Sequence, residues 1–191
     1  MKISYPLQQP EKAWIEGSIR NERKAQFRLY EWCFPHLMKV ASRYCRNKDD
    51  AKAQTNAAFL KMIQSLTTYD PSREFLPWLR TIAIRLAIDA HRKESRYLLD
   101  FQSEEWDAQN EPEIPAEIVA EIDIEQIEYA LQTLPDTERL VFNLHIMEDY
   151  GHQEIAEKLG MSERSSKRIL QRAKLLLQEQ LSEYGKTPRA I

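Results

Sequence analysis

Residues 150–170 read YGHQEIAEKLGMSERSSKRIL and predict two short helices joined by a tight turn. Three apolar residues at helical spacing give the first helix one buried face: Ile155, Ala156 and Leu159. Gly160 supplies the backbone freedom that a sharp helix exit requires, and Ser162 is a residue type that accepts unpaired amide hydrogens at a helix start. The stretch therefore predicts a helix-turn-helix.

The second of these helices divides into two faces. Its apolar residues recur at helical spacing on one side: Ile169, Leu170, Ala173, Leu176 and Leu177. Basic and amide residues recur on another side: Arg164, Lys167, Arg168, Gln171 and Lys174. A DNA-recognition helix needs this division, with one face packed into its domain and one open to the major groove. An amphipathic hairpin with a solvated basic face would show the same pattern, so the motif alone leaves that alternative open.

Charge is unevenly distributed along the 191 residues, although the net value is only −3. Residues 1–96 carry 18 Lys and Arg against 10 Asp and Glu, a net charge of +8. Residues 97–138 carry 13 acidic residues and no basic ones, and residues 139–191 carry 9 basic against 7 acidic. Only the two outer blocks can approach phosphate without repulsion, so nucleic-acid contacts are predicted there.

The rest of the chain also predicts helices and no strand. A long helix after Asn21 should bury Phe27, Tyr30, Phe34, Leu37, Ala41 and Tyr44, and Pro35 should kink this helix or mark its boundary. The next helix should bury Ala53, Ala57 and Leu60 with Ile63 or Leu66. A third helix, with Pro77 in its first turn, should bury Leu79, Ile82, Ala83, Leu86 and Ala90.

These patterns predict an all-α chain with two small helical domains joined by an acidic linker. The predicted boundaries are a lead with a short helix at 1–22, a helical domain at 23–96, the linker at 97–124, the helix-turn-helix domain at 125–184 and a tail at 185–191. The linker has no basic residue, and Pro112 and Pro115 oppose a helix within it.

Several classes of protein do not fit the sequence. No apolar run approaches a membrane span and the N-terminus does not resemble a signal peptide, so a cytoplasmic protein without membrane insertion is expected. Cys33 and Cys45 are expected to be small buried hydrophobic residues. The four histidines form no spaced pair with cysteine or carboxylate, and no phosphate loop or nucleophile elbow is present. We therefore expect no metal, no cofactor and no enzymatic activity.

Two sets of motifs follow one another along the chain. The first set is Leu29-Tyr30 through Tyr44, Asp50-Ala51 with Phe59-Leu60-Lys61, FLPWLRTIA at 75–83, LAID at 86–89 and Arg92-Lys93. The second set is Leu134-Pro135, ERLVF at 138–142, EIA at 154–156, LGMS at 159–162, Lys167 and Arg172-Ala173-Lys174. With these motifs the chain resembles, from about Trp14 to Leu181, bacterial RNA polymerase sigma factors of the extracytoplasmic-function (ECF) class. The first set resembles region 2 of these proteins and the second resembles region 4, in the family's order.

The resemblance implies a promoter-recognition subunit that binds core RNA polymerase. Region 2 would dock on the polymerase clamp and open the −10 element, and region 4 would hold the −35 element beside the flap. A separate anti-sigma factor is a further partner that the resemblance suggests. The alternative is a stand-alone helix-turn-helix transcriptional regulator, although the front half shows none of the αβ alternation of an attached phosphoacceptor domain.

The resemblance also implies three sets of binding residues. The −35 set is Arg164, Ser165, Lys167, Arg168, Gln171, Arg172 and Lys174, with Arg172 and Lys174 on the DNA backbone. The −10 set is Tyr69, Arg80, Arg85, Arg92 and Lys93, beside a loop bordered by Phe75 and Trp78, which are either stacking platforms or core residues. The polymerase-binding set is Asp50, Gln54, Asn56 and Lys61.

Three parts of the chain limit what can be transferred from the family. The acidic linker would thread the polymerase channel that later carries RNA, although a plain tether is the alternative. Ala53 and Ala57 stand where the family commonly places carboxylates that contact the clamp. Arg164 replaces a usual glycine, and Ile169 replaces a polar or basic residue, so the promoter sequence cannot be transferred from a relative.

Overall fold

A computed structural model describes residues 9–95 and 124–184. Within these ranges the chain forms helices and no strand, which confirms the all-α class. The helices are α1 (Lys12–Ile19), α2 (Arg23–Tyr44), α3 (Lys48–Ser65), α4 (Phe75–Ser95), α5 (Ile124–Thr133), α6 (Asp136–Phe142), α7 (His152–Leu159) and α8 (Glu163–Tyr184). A 3-10 turn at Leu66–Thr68 follows α3, and a π turn at Asn143–Met147 follows α6. The predicted linker up to residue 123 and the tail at 185–191 lie outside the described residues.

The described chain divides into two compact units, of which the first comprises residues 9–42 and 48–86. Its core is formed by apolar side chains from α2, α3, the 3-10 turn and α4: Leu29, Cys33, Leu37, Val40, Ala51, Ala58, Met62, Leu66, Phe75, Leu79, Ile82 and Ala83. Cys33 and Cys45 are buried, as expected, and burial raises the pKa of the Cys33 thiol to about 12.

The predicted buried faces of α2 and α3 are partly wrong. In α2, Phe27 is 59% exposed, and the buried row passes through Leu29 and Cys33 instead. In α3, Ala53 and Ala57 are exposed and Leu60 is 62% exposed, while Thr55 is fully buried with its hydroxyl 3.6 Å from Met38 Sδ. Alanines lie on both sides of α3, so composition does not distinguish its faces.

Two further expectations are wrong in part. The α2 helix runs without a break from Arg23 to Tyr44 with Pro35 inside it, so this proline marks no boundary. In α4, Ala90 is exposed, although Leu79, Ile82 and Ala83 are buried as predicted. The helix does begin at Phe75, which places Pro77 in its first turn, where a missing amide hydrogen costs nothing.

The second unit comprises residues 43–47 and 87–184 of the described chain. Helix α8 packs against α5, α6 and α7. Its apolar face lies in a cluster with α5: Ala130, Leu131, Leu134, Ala173, Leu177 and Leu181. Ile155 and Ala156 of α7 are buried as well. These burials confirm most of the predicted apolar faces of both helices of the motif, with Leu159, Ile169 and Leu176 half-buried at their edges.

Arg139 of α6 is a buried cation in this unit, with 2% of its surface exposed. It donates to three backbone oxygens, those of Leu134 (2.9 Å), Gln132 (3.1 Å) and Tyr44 (3.2 Å), and pairs with Asp136. Burial lowers the pKa of Arg139, against the opposing effect of Asp136. Burying a charge is tolerated only where its hydrogen-bonding groups are satisfied, and this guanidinium meets that condition.

The turn between α7 and α8 has the predicted conformation. Gly160 adopts φ 71° and ψ 36°, and the amide of Met161 donates back to Ala156 O at 3.1 Å, which ends α7. Ser162 Oγ then accepts the amide hydrogen of Ser165 at 3.0 Å and caps α8.

Replacing Gly160 tests how much this turn depends on the left-handed backbone. A Cβ at Gly160 would meet no atom within 4 Å, so any cost arises from φ alone. We expect Gly160→Ala to lower the free energy of unfolding by about 1 kcal/mol, and Gly160→Asn to lower it less, because asparagine tolerates this region. Chemical denaturation checks both variants, and equal losses would contradict this account.

Candidate nucleic-acid interface

The basic face of α8 lies on the side of the helix opposite its buried residues. Arg164, Lys167 and Arg172 are exposed, and Ser165, Arg168, Gln171 and Lys174 are half-buried. Because Leu170, Ala173 and Leu177 are held in the core, the helix cannot rotate these polar side chains inward. The structure therefore brings the predicted −35 set together along one helix.

Acidic partners orient two of these cations. Lys167 Nζ lies 2.7 Å from Glu163 Oε1, and this hydrogen bond and charge lower the pKa of Glu163. Arg172 Nε lies 3.4 Å from Oε1 of Glu138, a residue only 5% exposed. The second pair ties α8 to α6, so Arg172 has a packing role within the unit as well as its predicted DNA contact.

Two histidines meet at the base of α7, a contact that sequence reasoning missed. The rings of His145 and His152 stack with their centroids 4.3 Å apart. His145 Nδ1 donates to Tyr150 O at 2.8 Å, and His152 Nδ1 lies 3.0 Å from the hydroxyl of buried Ser166 on α8. The two residues are seven apart across a bend at Asp149 (φ 60°), so helical spacing could not reveal the pair.

The charge environment of His152 favours its neutral form. Burial lowers its pKa from 6.5, and the charges of His145, Lys167 and Lys174 lower it further, against a smaller opposing effect of Glu163. The pair thus links the start of α7 to Ser166 on the buried side of α8. No group of three or more metal-binding side chains occurs in the described ranges.

The predicted −10 residues lie on α4 and in the loop before it. Arg80, Arg85, Arg92 and Lys93 are exposed along α4. Tyr69 is half-buried: its hydroxyl donates to Arg73 O at 2.5 Å, and its ring contacts those of Phe75 and Trp78. Burial, followed by the charge of Asp70, raises the pKa of Tyr69.

Of the two side chains that could be core or platform, Phe75 is fully buried and belongs to the core. Its ring contacts those of Trp32, Tyr69 and Trp78. Trp78 is half-buried and keeps part of its ring at the surface. A stacking platform at this site would therefore be formed by Tyr69 and Trp78 rather than by Phe75.

The predicted polymerase-binding residues lie on α3. Asp50, Asn56 and Lys61 are exposed and Gln54 is half-buried. The hydroxyl of Tyr30 on α2 donates to Asn56 Oδ1 at 2.9 Å, which fixes the orientation of that amide.

Comparison with known proteins gives matches to both halves of the chain. Residues 29–97 match the family model for Sigma-70 region 2, and residues 124–177 match that for Sigma-70, region 4. The RNA polymerase sigma factor CarQ of Myxococcus xanthus is 30% identical over 149 residues, which cover 78% of this chain and 84% of CarQ. The chain belongs to the ECF class of sigma factors.

A second sigma factor agrees with this membership. The ECF RNA polymerase sigma factor SigX of Bacillus subtilis is 24% identical over 167 residues, which cover 81% of this chain and 86% of SigX. A solved structure described as CnrH in complex with the cytosolic domain of CnrY shares 18% identity with a TM-score of 0.45, over 92% of this chain and 99% of that one.

This sigma factor is a promoter-recognition subunit, so the alternative of a stand-alone regulator is set aside. Sigma factors are DNA-recognition subunits that work with core RNA polymerase and promoter DNA. Within the described ranges, no helix is long and apolar enough to cross a membrane.

The histidine pair predicts a pH-dependent stability of the sigma factor. A pKa below 6.5 means that the folded chain binds fewer protons than the unfolded chain, so His152 stabilises the fold fully above pH 6.5 and less as pH falls through that value. We expect the midpoint of thermal unfolding to decrease when the pH is lowered from about 7.5 to about 5.5. His152→Gln should make this decrease smaller.

The comparison variant is His36→Gln in the first unit, which should also make the decrease smaller, because burial and then Lys39 lower the pKa of His36 in the same direction. Titration of the ring protons by nuclear magnetic resonance separates the two residues. A His152 midpoint above 6.5 would contradict the assignment.

Proposed function

We propose that α8 of this sigma factor reads the −35 element, that α4 and the Tyr69 loop open the −10 element, and that α3 docks on the polymerase clamp. One observation carries the first assignment: α8 buries Leu170, Ala173 and Leu177 while its other side presents a row of basic residues after a capped turn. A major groove admits a helix with this division of faces.

Position along α8 supports a division of labour among its polar residues. Recognition helices contact bases mainly through residues near their N-terminus, which favours Arg164, Lys167 and Arg168 for base edges, with Gln171 one turn further. Arg172 and Lys174 lie farther along the helix and suit phosphate contacts, which position without specifying sequence.

At the −10 element, opening requires a flat receiver for an unstacked base and a cationic track for the displaced strand. Tyr69 and Trp78, whose ring centroids lie 4.9 Å apart, supply the receiver. The exposed Arg80, Arg85, Arg92 and Lys93 of α4 supply the track.

The remaining partners follow from the same assignment. Region 4 would lie beside the polymerase flap, and a separate anti-sigma factor would restrain the sigma factor when it is not needed. The polymerase, not this chain, would perform the chemistry of RNA synthesis, so the sigma factor itself is no enzyme. Its site of action would be the cytoplasm, where polymerase and chromosome meet.

Run-off transcription on a randomised promoter library tests the proposal as a whole. Purified sigma factor with its own core RNA polymerase should select templates that share two elements, one at −35 and one at −10. Core polymerase alone is the control. Selection of a −10 motif without any preference at −35 would contradict the assignment of α8.

Replacement of Arg168 and Lys174 separates base reading from phosphate contact. Arg168→Ala should change the relative affinity for −35 variants by about 1–3 kcal/mol at one base pair. Lys174→Ala should weaken binding to all −35 sequences alike. It should also reduce the slope of log affinity against log salt concentration by about one. Fluorescence anisotropy of holoenzyme on −35 duplexes measures both, and an unchanged order of preference in Arg168→Ala would show that Arg168 does not read bases.

A further inference from the structure

The amide of Phe75 donates a hydrogen bond to a side chain that is far away in the sequence. Gln9 Oε1 accepts this N–H at 3.0 Å, although the two residues are 66 positions apart. The amide is one of the first in α4, and such amides have no partner within their own helix. Pro77, two positions later, has no amide hydrogen at all, so Gln9 satisfies one of the few donors at this helix end.

The segment that carries Gln9 is anchored at its other end. Gly17 of α1 lies so close to α2 that a Cβ there would be 2.5 Å from Ala25 Cβ and 2.8 Å from Glu22 Oε2. The amide of Glu22 donates to Gly17 O at 2.9 Å, and Asn21 takes φ 60° to make the turn. Residues 9–19 are therefore held at both ends within the first unit.

This segment contacts the residues that flank the Tyr69 loop, residues 69–74, on both sides. Helix α1 packs against the 3-10 turn at Leu66–Thr68, which leads directly into Tyr69. Gln9 holds the amide of Phe75, the first residue after the loop. Because Phe75 is fully buried and its ring contacts both Tyr69 and Trp78, its backbone position determines where those two rings lie.

The loop itself is closed by short-range bonds. Tyr69 donates to Arg73 O, and the Asp70 carboxylate accepts from the amide of Ser72 at 3.0 Å and from its hydroxyl at 2.8 Å. These bonds give the loop a definite internal shape. These internal bonds do not fix the position of the loop relative to α4. The hydrogen bond between Gln9 and the Phe75 amide lies where it can fix that position.

We propose that the N-terminal segment 9–19 positions the Tyr69 loop for capture of an unstacked −10 base, and that Gln9 is the positioning residue. The inference rests on the proposed function, because it assigns the loop to the −10 element. Gln9 acts through Phe75 and touches no base. Its loss should affect promoter opening and −10 preference, and it should leave core-polymerase binding and −35 preference unchanged.

The test uses full-length sigma factor bound to core polymerase on a promoter selected from the library. Opening is followed by permanganate reactivity of −10 thymines, and closed-complex affinity is measured separately. We expect Gln9→Ala to slow opening about fivefold, the scale of one lost hydrogen bond, and to reduce discrimination among −10 variants. Gln9→Glu keeps an acceptor at the N-terminus of α4, so promoter opening with this variant should occur at a rate within about twofold of the wild-type rate.

Gln26→Ala in α2 is the control, because it makes the same replacement and leaves the Phe75 amide bond in place. Equal opening rates for Gln9→Ala and Gln26→Ala would overturn the proposal. So would a parallel loss of core binding, −35 preference and thermal stability in Gln9→Ala, which would indicate general damage to the fold. A wild type that opens no promoter would instead overturn the proposed function.

Discussion

The buried guanidinium of Arg139 is the constraint on which the second unit depends. Its bonds join the end of α5, through the Gln132 and Leu134 oxygens, to the start of α6, through Asp136, and to Tyr44 O. Burial pushes the pKa of Asp136 upward, but hydrogen bonds and charge from Arg46 and Arg139 outweigh it and lower that pKa. Removing Asp136 would leave the buried Arg139 guanidinium without its carboxylate, which is far more costly than losing an exposed ion pair. Because α5 and α6 form the surface on which α8 packs, the direction of the recognition face follows from this network.

The sequence predicted α8 well because its signals agree at every level. The αL glycine, the serine cap, the apolar row and the basic row all require the same helix in the same orientation. Helix α3 lacks this agreement, since alanines on both sides leave no clear period. Its buried face is set by partners such as Met38 on α2, which accommodates the Thr55 hydroxyl. Tertiary contact, rather than local pattern, decides which side of such a helix is core.

The contacts that sequence reasoning missed are polar and distant along the chain. Basic residues lie at the surface by default, so nothing in the sequence marks Arg139 for burial. The Gln9 bond to the Phe75 amide and the Ser166 bond to His152 likewise depend on backbone groups or hydroxyls that a fold must first bring together. The predicted binding residues were easier to locate than to interpret, because periodicity assigns a face but not the partner of each side chain. Lys167 and Arg172 illustrate this, since each already has a carboxylate partner.

Ala53 and Ala57, which differ from the family pattern, are both exposed, and this exposure indicates what the difference changes. Both side chains lie at the surface of α3, so the difference from the family pattern changes a contact surface and not the core. Neighbouring exposed residues are polar at Asp50, Asn56 and Lys61 and apolar at Leu60. Exposed ion pairs contribute little and are screened by salt, whereas burial of apolar surface is insensitive to modest ionic strength. If α3 docks on the clamp, replacing two carboxylates by methyl groups shifts its binding from electrostatic attraction toward apolar contact. The salt dependence of core-polymerase binding should therefore be weaker than in a relative that keeps both carboxylates.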